Sequence, residues 1–390
     1  MKDKWFFGIF FFTLLIALLF AGINSYLKTY SNAGQIDVFV GVDVAYDGVE
    51  DIKMLVDEVK AYTNFFVIGS IGIPWNVTKL NEVCQYINDS GLYFATYIHP
   101  DPMDQSYQIQ WISDARQRWG DRFVGLYAVD EPGGHQIDRY EYDNETYMLV
   151  KEANNYTDAA DKYIKKLSEA SSYFRSDWHI GDFPLLTSDY ALYEFDYRAD
   201  YDLVLAEFGW NHSRSLNVAL CRGAAAVQNK EWGVMITWKY DTSPYIEAGA
   251  ELYNDMVTAY QNGAEYIVVF NYPKNFTYGI FQEEHLEALR QFWQYVKDNP
   301  RTTNAVEDKV AYVLPKDYGY GFRGPNDKIW GLWEPDMLSS KIWYDANSLL
   351  SQYEAKMDII YEDTIEQNKT LVYQRLIFWN GTILTRDNNG

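Results

Sequence analysis

Short apolar runs return at a near-constant interval through the first three quarters of this sequence, each followed by a stretch with helical spacing. No other feature constrains the fold as strongly. Strands are expected at Val38–Val42, Phe65–Ser70, Tyr93–His99, Phe123–Asp130, Trp178–Asp182, Leu203–Phe208, Gly233–Trp238 and Tyr266–Asn271. Between them, Val49, Ile52, Val56 and Val59 keep a helical period, as do Leu286, Leu289, Trp293 and Val296. Ser90-Gly91 and Asn262-Gly263 read as helix C-caps. Eight β-then-α units over about 260 residues match the order and size of a closed (β/α)8 barrel, the TIM barrel. An open doubly wound sheet alternates in the same way, but no glycine-rich phosphate loop follows the first strand. Closure is therefore expected, and a nucleotide is not.

Most intervals between strands are about 25 to 33 residues, a spacing typical of βα units. The fourth is far longer, and its polar and aromatic excess, residues 133–154, directly follows strand four. In such barrels that end of the strand faces the active site, so the segment is expected to form a lid or a substrate wall. After Asn299-Pro300 the composition shifts. Strands at Val310–Pro315, Asp358–Glu362 and Tyr373–Trp379, with a helix at Leu338–Leu350, read as a small α/β appendage. The expected organisation is a membrane segment at 1–27, a tether at 28–35, the barrel at 36–300, the appendage at 308–382 and a polar tail at 383–390.

Trp5 to Ile23 run nineteen residues without a charge, behind Lys2 and Lys4. At about 1.5 Å per residue this run approaches the thickness of a bilayer's hydrocarbon core. The basic flank stays inside and the bulk of the chain is expected outside, on a single-pass signal anchor. A cleaved signal peptide is the alternative, with a weak small-residue site around Phe20-Ala21-Gly22. Eight N-glycosylation sequons agree with an extracellular glycoprotein: Asn76, Asn88, Asn144, Asn155, Asn211, Asn275, Asn368 and Asn380. The two cysteines, Cys84 and Cys221, fall inside helical patterns and read as buried small hydrophobes, not as a disulfide framework. With 33 basic against 55 acidic residues and a net charge of −22, the chain repels phosphate backbones, which argues against nucleic acid. Aromatic residues reach 17%, more than a core needs, and flat rings also stack on sugar faces.

The sharpest local signal is Val129-Asp130-Glu131-Pro132-Gly133-Gly134, where an apolar strand ends in two acids. Glycosidic cleavage needs one carboxyl to protonate the leaving oxygen and usually a second carboxylate opposite it. The plainer alternative is a turn that solubilises a strand end. The segment Gly125-Leu126-Tyr127-Ala128-Val129-Asp130-Glu131-Pro132 resembles strand four of the clan-A glycoside hydrolases, TIM-barrel enzymes with an Asn-Glu, often followed by Pro, at that place. The resemblance implies that Glu131 is the acid/base and that Asp130 stands where the family's Asn touches the sugar 2-hydroxyl. It covers the barrel, but its specific motif is only a few residues long.

Two departures matter. Asp replaces Asn at position 130, and no Glu ends strand seven, where that clan keeps its nucleophile. The nearest carboxylates are Asp241, just beyond strand seven, and Glu207 within strand six. A buried, unpaired acid is costly, so Glu207 needs a partner, either Glu131 across the mouth or Lys239 in a salt bridge. An adjacent Asp-Glu on strand four also resembles the substrate-assisted hexosaminidases, which implies an N-acetylhexosamine substrate. Asp43, His99, Asp182, Asn271 and Tyr272 end other strands and are expected either to bind sugar hydroxyls or to cap helices. Trp210, Trp238 and Tyr272 are candidates for a stacking platform or for a plug in the barrel top. His135 reads as a solvated loop residue, and Trp330 and Trp333 either extend a glycan surface or, the expected use, serve domain packing. No cofactor or metal motif is present: there is no His-Glu-x-x-His, paired-Cys or EF-hand pattern. The expected activity is therefore hydrolysis of an oligo- or polysaccharide. The competing expectation is a non-catalytic glycan-binding or cell-envelope protein on a degenerate barrel.

Overall fold

The computed structural model describes residues 37–70, 72–98, 106–138, 150–172, 175, 183–274, 276–301, 308–366 and 372–386. Eight parallel strands close into a barrel: β1 (Phe39–Val44), β2 (Phe65–Ile68), β3 (Tyr93–Ile98), β4 (Phe123–Ala128), β5 (Leu185–Asp189), β6 (Leu203–Phe208), β7 (Glu231–Ile236) and β8 (Tyr266–Asn271). Strand β8 closes the ring by pairing with β1 from Phe39↔Tyr266 to Val44↔Asn271. Closure leaves no strand edge unpaired, which is what the alternation in the sequence called for.

Between the strands run α1 (Val49–Val59), α2 (Val77–Asp89), α3 (Ser106–Trp119), α4 (Pro132–Asp138), α5 (Tyr156–Ser172), α6 (Tyr193–Arg198), α7 (Arg214–Gln228), α8 (Gly249–Gln261) and α9 (Glu283–Asp298). Helix α1 buries Ile52, Leu55, Val56 and Val59, as its spacing requires. Helix α9 buries Leu286, Leu289, Phe292 and Val296, so Phe292 faces inward rather than the expected Trp293. Gly91 and Gly263 end their helices at φ 83° and 92°, the left-handed geometry expected of C-caps.

One strand is displaced from its expected place. The fifth is Leu185–Asp189, not Trp178–Asp182; residues 176–182, with Asp182, lie outside the described residues. The true strand, Leu-Leu-Thr-Ser-Asp, reads as half polar, yet all five residues are buried because its polar side chains find polar partners, Ser188 inside the barrel and Thr187 and Asp189 on its outer face. Strand β4 also stops at Ala128, two residues short of Asp130.

Side chains of period two fill the barrel. Phe39, Phe65, Tyr93 and Tyr266 pack at one end, with Phe39 stacked on Tyr266 at 4.6 Å between centroids. Val67, Ala95, Leu205, Met235 and Val268 follow above them. The same period then places Asp43, Gly69, Tyr97, Ser188, Glu207, Thr237 and Phe270 at the strands' C-terminal ends. Sequence alternation thus dictates which acids point into the mouth.

Beyond residue 308, β9 (Val310–Leu314), β10 (Met357–Tyr361), β11 (Arg375–Phe378) and β12 (Ile383–Thr385) form a sheet of order β10-β9-β11-β12, with α10 (Met337–Tyr353) and α11 (Glu362–Glu366). This sheet and the barrel belong to one compact unit, residues 38–390. Arg222 of α7 reaches Asp358 of β10 at 2.6 Å, and both are buried. Tyr373 adds a 2.9 Å bond to the same carboxylate. Trp330, fully buried, packs on Phe195 at 4.6 Å and on Tyr163, so it serves domain packing as expected, and Trp333 packs on Tyr156.

Both cysteines are free and buried. Among the described residues no helix is long and apolar enough to cross a membrane, and the expected span, residues 5–23, lies outside them. Of the sequon asparagines, Asn76, Asn155, Asn211 and Asn380 are exposed and Asn88 is half-buried; Asn144, Asn275 and Asn368 lie outside the described residues.

Candidate active site

The chain leaves β4 through a tight turn with two left-handed residues, Val129 at φ 56° and Glu131 at φ 47°. Such backbone is strained for residues with a Cβ and is held only where the surroundings insist on it. Here they do. Glu131 N–H donates to Ser188 O at 3.0 Å, and Thr187 Oγ1 donates to Val129 O at 2.5 Å, so strand β5 grips the turn from one side. Helix α4 then starts at once. The Asp189 carboxylate accepts from Gly133 N at 2.5 Å and Gly134 N at 2.7 Å, as well as from Tyr190 N and Ala191 N. This makes a helix of what reads in the sequence as the start of a loop. Gly133 is required by close approach, since a Cβ there would lie 2.3 Å from Ala191 O.

The turn delivers Asp130 and Glu131 to a cavity of about 140 Å³ at the barrel's C-terminal end, lined by Asp43, Tyr97, Tyr127, Glu207, Thr237, Trp238 and Phe270 among others. Tyr127 donates a short hydrogen bond to Asp130 Oδ1. Tyr127 Oη lies 2.8 Å from Ser188 Oγ, and Ser188 Oγ lies 2.5 Å from Glu207 Oε1. The Glu207 carboxyl is in turn within hydrogen-bond reach of Glu131, whose Oε2 lies 3.0 Å from His135 Nε2.

A proton count on this row is informative. Four contacts link Asp130, Tyr127, Ser188 and Glu207, one of them the longer 3.4 Å approach of Ser188 Oγ to Asp130 Oδ1, yet the two hydroxyls bring only two protons. A proton on one of the carboxyls completes the row. Electrostatics agree: burial, reinforced by the charges of Glu131 and Asp130, raises Glu207 well above the ordinary carboxylate range. Burial and then the Glu131 charge push Asp130 up to about 6, against the pull of Tyr127 and His135. Asp43 is raised as well, by burial first and the Asp130 charge second. Burial also pushes Asp189 up to about 7, although three backbone N–H bonds act against it.

Asp43, Asp130, Glu131, Glu207 and Trp238 meet at one cavity. Glu207 pairs with Ser188 and Glu131, not with Lys239, which bonds Glu251 at 2.8 Å. Tyr272, 38% exposed, packs against Trp238 at 5.5 Å on the rim. Trp210 is exposed and does not line the cavity, although its N–H bonds Trp238 O at 2.6 Å. Asp241 is exposed and also does not line the cavity. Asn271 is buried in a structural role, donating to Tyr278 O and accepting from Ile280 N, because the loop after β8 folds back over it. His99 lies outside the described residues. His135 is not a solvated loop residue: one helical turn after Glu131, it bonds that carboxylate. Ser188 and Tyr127 escape sequence reasoning. Ser188 does so because strand five is misplaced there, and the period-two pattern of Leu-Leu-Thr-Ser-Asp is the signal that finds it.

Strand β7 carries no carboxylate into the cavity; its Glu231 sits at the opposite end, against Tyr266 Oη. Among the described residues no three His, Cys, Asp or Glu side chains converge as metal ligands do.

No protein-family model matches the sequence, and no curated protein matches it. Solved structures do. The fold is similar to that of alpha-L-fucosidase isoenzyme 2 from Paenibacillus thiaminolyticus, with a TM-score of 0.52 at 10% identity over 87% of this chain. The match spans 59% of the fucosidase. Mannanase BCman of Bacillus subtilis follows at TM-score 0.41 and 10% identity, over 65% of this chain and 85% of that one. The GH99 endo-alpha-mannosidase of Bacteroides thetaiotaomicron follows at 0.39 and 13%, over 65% and 80%. The fucosidase match bears out the expected TIM barrel; the other two are too distant to add to it. The likeness is one of fold, and the chemistry has to be argued from the mouth itself.

Proposed function

We propose that this chain is a glycoside hydrolase in which Glu131 is the acid/base and Glu207 holds the proton that Glu131 delivers. The supporting observation is the proton count. A row of two hydroxyls between two carboxyls is completed by a carboxyl proton, and the row ends against Glu131 in a cavity walled by Trp238, Tyr97 and Phe270. Glycosidic cleavage calls for an acid that stays protonated near neutral pH and for negative charge beside an oxocarbenium-like transition state. Glu207 is the buried reservoir. Glu131 is less buried, its side chain 27% exposed, and meets the leaving oxygen. Asp130, raised only to about 6, supplies the stabilising charge at neutral pH.

A second reading draws on the adjacency of Asp130 and Glu131, together with the lack of a β7 carboxylate in the cavity where a nucleophile would stand. The adjacent Asp130 and Glu131 would then favour a substrate-assisted hexosaminidase, with Asp130 orienting a 2-acetamido group. A membrane-anchored, outward-facing, glycosylated chain is part of the proposal, resting on the apolar run at residues 5–23 and on the sequons.

The test is hydrolysis of an oligosaccharide and aryl-glycoside panel by the full chain, wild type against Glu131→Gln. The expected outcome is activity on one sugar class, reduced by about a hundredfold or more in the variant. If both proteins are inert but bind glycans equally, the barrel is a binding module and the catalytic reading fails.

A further inference from the structure

The mouth holds more carboxyl groups than the proposed chemistry needs. Four carboxyl groups, Asp43, Asp130, Glu131 and Glu207, line one cavity, and no Lys or Arg lines it among the described residues. Neighbouring cations are turned elsewhere. Lys239 bonds Glu251, Arg214 bonds Asp255 and Glu247, and Lys274 stands at the rim over the rings of Tyr272 and Tyr245. His135 is engaged with Glu131.

Asp43 is the second, independent observation. It is only 3% exposed, it lines the cavity, and its Oδ1 has no hydrogen-bond partner. A buried acceptor left without a donor costs free energy that a ligand donor recovers on binding. Thr237 and Trp238 also line the cavity, and aromatic faces at Tyr97, Trp238 and Phe270 attract positive charge as well as sugar faces. The described carboxylates do not converge as metal ligands do, which directs the choice to an organic cation.

We infer that the sugar recognised here is an amino sugar with a free, protonated amine, a de-N-acetylated hexosamine whose ammonium group is bound by Asp43 and Asp130. This rests on the glycosidase reading of the site and sharpens it. An ammonium brings three donors and one positive charge to a wall of acceptors that has neither to spare. An N-acetylated sugar brings a neutral amide in its place and leaves Asp43 Oδ1 facing a methyl group or a single N–H. The net charge of −22 would also draw a polycationic glycan toward the molecule at low ionic strength.

The experiment is calorimetric titration of the full chain, at pH 6 and low salt, with glucosamine and galactosamine oligosaccharides and with their N-acetylated counterparts. The inference expects at least one free-amine series to bind about tenfold or more tightly than its N-acetylated form. It also expects this advantage to shrink as salt is raised. Asp43→Asn should remove most of the advantage, read within the variant as the ratio of its free-amine to its N-acetylated affinity. Equal or weaker binding of both free-amine series by the wild type would overturn the inference without any variant. So would calcium alone binding in an Asp43-dependent way while the amine makes no difference.

Hydrolysis of the same oligosaccharides separates this inference from the reading beneath it. Cleavage of neutral or N-acetylated sugars only, lost in Glu131→Gln, keeps the glycosidase and sinks the amine. Tight, Asp43-dependent binding of the amines without any cleavage keeps the amine and sinks the glycosidase.

Discussion

Glu131 and Glu207 share one hydrogen-bonded contact, so their substitutions are expected to act as a unit. Once a substrate is in hand, Glu131→Gln and Glu207→Gln should each lower kcat by about a hundredfold or more. The double variant should be little worse than either single one, because one proton is lost in all three. Measured kcat values that multiply would show two independent roles. The buried acids also set a pH dependence of stability. Asp130 is raised from 3.8 to about 6 and Asp189 from 3.8 to about 7, so the folded chain holds protons that the unfolded chain has released. Their contribution is complete at low pH and is lost as pH rises through about 4 to 7. Asp202 and other carboxylates held low by cations act in the opposite sense, but only below about pH 4. Thermal melts should therefore show a higher Tm at pH 5 than at pH 8, and Asp130→Asn should flatten part of that slope. A Tm that rises steadily from pH 5 to pH 8 would contradict the burial of these groups.

At the scale of elements, the site depends on the grip of β5 on the turn after β4. Asp189→Ala removes one acceptor from four N–H groups and should destabilise the chain by about 1–3 kcal/mol, seen in urea denaturation. Gly133→Ala drives a Cβ to within 2.3 Å of Ala191 O and should displace Glu131, lowering kcat more than it raises KM. Seven of the eight strands were legible because their inward residues are apolar on a steady period. The fifth was not, because Ser188 spends its polarity inside the barrel on Glu207 while Thr187 and Asp189 spend theirs on the other face, on Val129 and the start of α4. A sequence shows polar residues but not the partners that bury them. Helix α4 was missed for a related reason: its N-terminus is satisfied by Asp189, 55 residues away along the chain from Gly134. Asp130, Glu131 and Glu207 were legible as acids at strand ends. Their joining by Tyr127 and Ser188 was not, since it arises from the ring closure of the barrel.

At the scale of the whole molecule, the segment between β9 and α10 braces helix α4, which follows the site's turn. Gln136 of α4 is buried and donates to Trp330 O at 2.8 Å, and Asp138 pairs with Arg323. Helix α7 adds the buried Arg222–Asp358 pair. Arg222→Ala strands the Asp358 carboxylate in the interface and should cost about 3–5 kcal/mol. Ending the chain near residue 300 should expose these surfaces and yield an insoluble or inactive barrel, checked by gel filtration and circular dichroism. A soluble, fully active truncation would show that the barrel stands alone. The most direct test of the account is whether Glu207 holds a proton at neutral pH. Infrared difference spectra at pH 7, wild type minus Glu207→Gln, are predicted to show a protonated-carboxyl C=O band that the variant lacks. A difference spectrum showing only lost carboxylate bands would mean that Glu207 is ionised, and Glu131 would have no proton to deliver.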